Sequence, residues 1–491
     1  MPLLTKSKYL NGLQCPKYMW TAFNDKDKLP EIDEATQYRF DQGHMIGQMA
    51  KQWFPDGIDI KEDDFIKNIH ETKAALSKRK PVFEAGIRFE DLYSRADILS
   101  PVGEDEWDII EVKSATKVKD VNIHDLSFQK HVYHKFGLKI RKCFLMHINS
   151  DYVRQGELDY KQLLAMDDVT DQVEEAIEGI EQRITEMFNT INFPTCPDTP
   201  IGKQCTDPYP CPLIPDLCWA SLPEDSVFDL YYGGKKSWDL YDQGILSIKD
   251  IPDDYDLNDK QQVQMQSTKT GQVFTNPGMI KEFLDNIRYP LYFLDFETIN
   301  PAVPLYDNSH PYQQIPFQFS LHIVTKDDVT GKPITDHKEF LHLESTDPRP
   351  AFMAALKENL GTEGSIIAFN QSFETGRIRD AAQVWPEYQN WYDNLIPRFM
   401  DLMIPFKAFH YHDPKQKGSN SLKAVLPALT GKGYDGLDIA DGGDASLKYQ
   451  ELQNNKKLTA AEKEKIRVDL LKYCGLDTEG MIWILEKLRG V

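Results

Sequence analysis

The sequence has no apolar run long enough to cross a bilayer, which excludes a membrane-spanning helix on sequence grounds. Its opening stretch, Met1-Pro2-Leu3-Leu4-Thr5-Lys6-Ser7, lacks the apolar core of a secretory signal, so a cytoplasmic location is expected. Cysteine is sparse, with 7 in 491 residues, and in a long chain expected in the cytoplasm these do not read as a disulfide framework. Basic side chains are in deficit: 56 Lys and Arg stand against 77 Asp and Glu, a formal charge of −21. That balance argues against a general polyanion-binding coat. It still permits a local basic groove, and carboxylates that bind metal would themselves add negative charge. There is no internal repeat and no long low-complexity tract.

What is present is a chain with 41% hydrophobic residues, enough for more than one core. Residues 1 to about 80 read as mostly helical. From Pro81 the pattern turns to strands, at Val82–Phe89, Tyr93–Leu99 and Trp107–Lys113, followed by a helix from Val121 to Phe136 and a strand from Arg141 to Ile148. Asp167 to Asn189 reads as one amphipathic, solvated helix. The Pro-rich cysteine segment 196–218 should be irregular. Three regions follow: 1–221, a connecting helical module over 222–285, and a second α/β domain over 286–491. The whole is a multidomain α/β protein.

Three groups of residues carry chemistry. In the first, Asp97 ends one strand and Glu111-Val112-Lys113 ends the next, where the period of two puts Glu111 and Lys113 on one face. Paired carboxylates hold Mg²⁺ through oxygen. A neighbouring lysine can position a water and offset charge developing on a phosphate. Gln129 and Tyr133 share a face of the following helix by their i, i+4 spacing. In the second group, Cys205, Cys211 and Cys218 cluster late in the first region, with Cys196 close by and Cys15 far upstream. Cys143 and Cys474 read as small buried hydrophobes. In the third, Asp295 and Glu297 lie on one face of an apolar strand, an arrangement that is electrostatically unfavourable without a cation. Glu374 opens a helix after the strand from Ile366, and Tyr473 and Asp477 share a face of the last helix.

The segments Arg95-Ala96-Asp97-Ile98-Leu99, Glu111-Val112-Lys113-Ser114 and Gln129-Lys130-His131-Val132-Tyr133 resemble the motifs of RecB-type PD-(D/E)xK nucleases. The resemblance implies a restriction-endonuclease-like α/β core. It makes Asp97 and Glu111 metal ligands, Lys113 the catalytic lysine, and Gln129 and Tyr133 substrate-side groups, with His44 as a loosely matched further ligand. The cysteine arrangement is similar to that of AddB-type nucleases, which implies a [4Fe–4S] cluster on Cys15, Cys205, Cys211 and Cys218. Zn²⁺ is the alternative, since it also takes four cysteines. Asp295-Phe296-Glu297, Glu374 and Tyr473-x3-Asp477 resemble the Tyr-bearing form of DnaQ-type 3′–5′ exonucleases, which implies an RNase H-like fold. In that family Asp295, Glu297 and Asp477 would hold Mg²⁺ or Mn²⁺ and Tyr473 would orient water. Glu374 departs from the family's Asp.

The expectation is a metal-dependent nuclease of DNA ends or single strands, acting in repair or in defence against foreign DNA. One catalytic half with a nucleic-acid-gripping partner, or a binding protein without turnover, are the alternatives. Gly233-Gly234-Lys235-Lys236 resembles a helix-hairpin-helix turn, and the basic stretch His410, His412, Lys415, Lys417 and Lys423 is a further strand-binding candidate.

Overall fold

The structure is a computed structural model, and it describes residues 2–61, 64–327 and 329–491. Met1, in the opening stretch read above, lies outside them. The chain is mixed α/β and divides into two compact units, Met1–Ser221 with Pro301–Tyr312, and Leu222–Asn300 with Gln313–Val491. Among the described residues, no helix is long and apolar enough to cross a membrane.

The first unit is built on a seven-stranded sheet. Its strands are β1 (Leu4–Thr5), β2 (Ile58–Asp59), β3 (Val82–Phe89), β4 (Leu92–Val102), β5 (Glu106–Lys113), β6 (Lys139–Ile148) and β7 (Leu164–Asp168). The order is β2-β3-β4-β5-β6-β7, with β1 paired to β4. β3, β4 and β5 form an antiparallel meander, while β5 and β6 run parallel across the Asp120–Phe136 helix. β4 alternates buried and half-buried residues, as a strand with one face on the core must, whereas β5 is buried continuously from Trp107 to Glu111. Leu126, Phe128 and Val132 of the Asp120–Phe136 helix join the main core with Ala85, Ala96 and Ile109. The stretch expected as one helix over 167–189 is β7's end followed by two helices, Thr170–Ile177 and Ile180–Ile191. Gly179, at φ 69°, breaks them, a left-handed conformation that favours glycine.

The strap Pro301–Tyr312 completes this unit. Ala302 and Val303 are buried with Ile46, Phe83, Ile98 and Met146. Arg154 donates to the carbonyls of Pro304 and Leu305 (3.0 and 2.9 Å), and the Gly156 amide donates to Asp307 (2.8 Å).

The second unit holds a two-stranded ladder of β8 (Phe274–Thr275) with β14 (Tyr411–His412) and a five-stranded sheet. The larger sheet contains β9 (Leu291–Ile299), β10 (Ile315–Lys326), β11 (Pro333–Leu341), β12 (Ser365–Ala368) and β13 (Phe399–Asp401) in the order β11-β10-β9-β12-β13. β9, β10 and β11 are antiparallel, and β12 and β13 continue parallel to β9. The Ala460–Leu488 helix packs on one face, where Met481, Ile484 and Leu485 meet Leu291, Phe293 and Ile367. Phe352, Leu356 and Ile378 cover the other with Leu294, Phe296 and Ile366. Residues 222–285 are part of this unit, with helices Lys235–Asp242, Asp259–Thr270 and Pro277–Asp285.

Candidate functional sites

The antiparallel register Ile98↔Ile110 carries Asp97 and Glu111 to neighbouring positions on β4 and β5. Asp97 accepts a hydrogen bond from the Val112 amide at 2.7 Å. Glu111 is 1% exposed, and both of its oxygens are engaged. Oε1 accepts from Lys113 (2.6 Å) and Lys6 (2.7 Å), and Oε2 from Gln129 (2.6 Å). Asp125, one helical turn before Gln129, accepts from Lys113 (2.9 Å) and Gln129 (3.0 Å). Sequence reasoning missed Lys6 and Asp125. Thr5 pairs with Tyr93 in the β1–β4 ladder and caps the Lys6–Gln14 helix, and this placement brings Lys6 to Glu111.

The charges around Glu111 interlock. Burial, then Asp125 and Asp97, push its carboxyl up, while Lys113 and Lys6 pull the other way. Burial works against both ammonium groups, but Asp125, Glu111 and Asp97 outweigh it and hold them protonated. Tyr133 is wholly buried. Its hydroxyl accepts from the Ala96 amide (2.9 Å) and donates to the Ala85 carbonyl. It braces β3 against β4 and is out of a substrate's reach. His44 is exposed on the Glu34–Lys51 helix and is not among the hydrogen-bond or ion partners of these acids.

Cys15, Cys205, Cys211 and Cys218 line one small cavity, and all are free thiols. Burial, then Cys15, Cys218 and Cys205, push the Cys211 thiol up to about 11. Gln14 ties the Lys6–Gln14 helix to the cysteine loop by donating to the Gln204 and Tyr209 carbonyls (2.9 and 2.7 Å). Among the described residues no three of these sulfurs lie within 4.8 Å of one another. Thiolates on one tetrahedral zinc, with Zn–S bonds of about 2.3 Å, sit roughly 3.8 Å apart.

In the second unit, β9 presents Asp295 and Glu297. They meet Cys474, with one ligand atom of each within 4.8 Å of the others. The Cys474 thiol lies 3.6 Å from Asp295 Oδ2. Burial, then Asp477, Glu297 and Glu374, hold the Asp295 carboxyl well above its usual range. Burial, then Asp477, do the same to Glu297, with Asp441 and Glu374 adding and Lys423 opposing. Asp477 rises to about 7 through burial, eased by Tyr434, whose hydroxyl donates to it, and by Lys423. Glu374 is pushed up to about 8 by burial, with Asp401 adding, and its Oε2 is buried without a hydrogen-bond partner. Tyr473 is buried beside Tyr434, with ring centres 6.0 Å apart; burial and the surrounding acids push its phenol far up, so it stays protonated.

The structure therefore brings Asp295, Glu297, Glu374, Tyr473 and Asp477 together. It adds Cys474, Tyr434 and Lys423, which sequence reasoning did not assign to the site; Cys474 directly follows Tyr473 but reads as a small buried hydrophobe, and Tyr434 lies in a loop far along the chain from the recognised motifs. Asp401 accepts from the amides of Asn370 (2.9 Å) and Met403 (3.0 Å), so it caps two turns as well as bearing on Glu374. His412 is buried and stacked on Phe409, and burial pushes it down to about 4. It does not line a groove. Lys236 donates to the Asp256 carbonyl and pairs with its carboxylate, so part of the Gly-Gly-Lys-Lys turn is already engaged.

Fold and geometry define a mixed α/β protein with two separate carboxylate centres and a cysteine cavity. Residues 292–421, which include Asp295, Glu297 and Glu374, match a family model described as Domain of unknown function (DUF2779). An uncharacterized protein of Mycoplasma genitalium is 28% identical over 221 residues, covering 39% of this chain and 31% of the relative. One from Ureaplasma parvum is 28% identical over 225 residues, covering 40% and 31%. The chain thus spans about a third of the length of these curated relatives.

Proposed function

We propose that the chain is a divalent-cation-dependent nuclease that hydrolyses phosphodiester bonds of DNA ends or single strands in the cytoplasm. In this reading the first unit is RecB-like and the second DnaQ-like. The observation that carries it is the convergence of Asp295, Glu297, Glu374 and Asp477 in one buried site, with raised carboxyls and an orphaned Glu374 oxygen. Buried carboxylates this close destabilise a fold unless cations join them. Lys423 and Arg377 are too few to balance them.

The residues fit Mg²⁺ or Mn²⁺: Asp295, Glu297 and Asp477 would hold it, with Glu374 beside them. When bound, such ions polarise a phosphate and acidify water. Tyr473 keeps its proton and so does not act as a base; its part is to orient water by hydrogen bonding. Tyr434 holds Asp477 in place. In the first unit Asp97 and Glu111 have the right chemistry, but Lys6 and Lys113 already neutralise Glu111, so a cation there must displace Lys6. Lys113 remains to orient water and offset charge on phosphate. Cys15, Cys205, Cys211 and Cys218 would hold a [4Fe–4S] cluster as a structural staple.

The test is cleavage of labelled DNA and RNA with Mg²⁺ or Mn²⁺ by wild type, Lys113→Ala and Asp295→Asn. Loss with one substitution assigns the active unit. Wild-type protein that cleaves nothing, or cleavage untouched by both substitutions, removes the nuclease reading. Anaerobically purified protein is expected to be brown, absorbing near roughly 400 nm; a colourless zinc-loaded sample excludes the cluster. A second reading, in which the second unit grips strands without cutting, is favoured by Glu374 standing where the DnaQ-type family carries Asp.

A further inference from the structure

The second unit also holds a cavity of about 470 Å³. Its walls include Tyr231, Tyr232, Asn370, Lys407, Asn420 and Ser421. Two of these connect it to the acids. Asn370 opens the turn that leads to Glu374 and donates its amide to Asp401 at 2.9 Å. Ser421 immediately precedes the Leu422–Thr430 helix, whose Lys423 lies 5.7 Å over the Tyr473 ring.

Three features of this cavity are unexplained by folding. Tyr232 is 82% exposed, and its backbone is left-handed at φ 45°. A bulky residue in that conformation is strained, and Tyr232 gains no burial in return. Asn370 is also left-handed, at φ 72°. Asn420 bonds the Tyr231 phenol, yet its amide oxygen is buried without a partner. An orphaned acceptor in a cavity can take an N–H or O–H donor from outside the chain. The cavity thus combines an exposed aromatic face edge-on to a second ring (Tyr231–Tyr232, 4.6 Å, 84°), an unfilled acceptor and the exposed ammonium of Lys407. A nucleobase supplies a π-face and N–H donors, and the phosphate attached to it supplies the anion.

We infer that this cavity is a nucleobase subsite for a single-stranded polynucleotide whose end lies at the acid cluster. The base stacks on Tyr232, donates N–H to Asn420 Oδ1, and its phosphate meets Lys407. The inference rests on the nuclease reading for the identity of the neighbouring acids, but its own residues are all outside them. It also gives the 222–285 segment, which supplies both tyrosines, a role in substrate binding. Stacking is sequence-tolerant, so the subsite would hold a strand without selecting its sequence.

The test is fluorescence anisotropy with a fluorescein-labelled oligothymidylate in EDTA, where hydrolysis does not intervene. Tyr232→Ala is expected to weaken binding about 5- to 150-fold, the range of one lost base stack. Tyr232→Trp is expected to restore it, which a merely structural role would not do. Lys407→Ala should reduce the slope of log affinity against log salt by about 1. Circular dichroism melting of each variant shows whether it has folded. Wild-type cleavage together with unchanged affinity in Tyr232→Ala overturns the subsite and leaves the nuclease reading standing. Failure of the wild type both to bind and to cleave overturns the two together. If thymidine monophosphate binds as tightly as the oligomer, the occupant is a free nucleotide and the strand assignment is overturned.

Discussion

At the scale of single residues, the buried acids of the second unit make a pH prediction with a definite sign. Asp477 and Glu374 titrate near 7 and 8 in the fold, against ordinary values of 3.8 and 4.5. The folded state therefore holds these protons more tightly than the unfolded chain. Their stabilising effect is complete below about pH 4 and is lost as pH rises through 7 to 8. Metal-free protein in EDTA should melt at a lower temperature at pH 8.5 than at pH 5.5, and saturating Mn²⁺ should flatten that difference. Equal melting in EDTA at both pH values would show that the acids are not mutually burdened. Glu374→Gln removes a buried charge at nearly constant shape. It should raise the metal-free melting temperature at pH 8.5 and weaken Mn²⁺ binding about ten- to a hundredfold, read by calorimetry. Tyr133→Phe leaves the Ala96 amide and the Ala85 carbonyl without their shared partner. It should cost about 1–3 kcal/mol in urea unfolding while activity per folded molecule is retained.

At the scale of elements, the Lys6–Gln14 helix reaches two places at once. Lys6 touches Glu111 at one end, and Gln14 with Cys15 engages the cysteine loop at the other. Cys15→Ser is expected to abolish the absorption near roughly 400 nm and, through this helix, to lower cleavage at the first site. Unchanged cleavage by colourless protein would separate the two functions. This helix also marks what the sequence could and could not disclose. Asp97, Glu111 and Lys113 were legible because adjacent strands and a period of two place them without knowledge of the fold. Lys6 and Asp125 were not, because only the β1–β4 pairing and the docking of the Asp120–Phe136 helix bring them in. Tyr133 was misjudged because i, i+4 spacing shows a shared face but not what lies against it. Its helix is buried nearly all round, so sharing a face with Gln129 did not mean facing solvent. Asp295, Glu297 and Asp477 were readable as acids on apolar elements, whereas Tyr434 sits in a loop whose path no periodicity fixes. The break at Gly179 lay inside an amphipathic pattern that simply continues across it.

For the whole molecule, the division into 1–221, 222–285 and 286–491 read from composition differs from the compact units, because a strap of twelve residues (301–312) and a polar segment give no compositional signal of which core they join. A fragment ending at residue 221 lacks Ala302 and Val303, whose burial is worth roughly 2 kcal/mol. It should melt about 4–8 °C below the first unit in the intact chain. A synthetic peptide spanning 301–312, added in excess, should recover part of that difference by mass action. No recovery would show that the strap is a passenger. The strap also bears on the order of events at the ribosome. Chains are made from the N-terminus, and an N-terminal domain ordinarily folds while the rest is still being synthesised. Here the nascent first unit must wait for residues 301–312, and β9 has left the exit tunnel's queue before they arrive, so the larger sheet of the second unit is begun before the earlier unit can be finished.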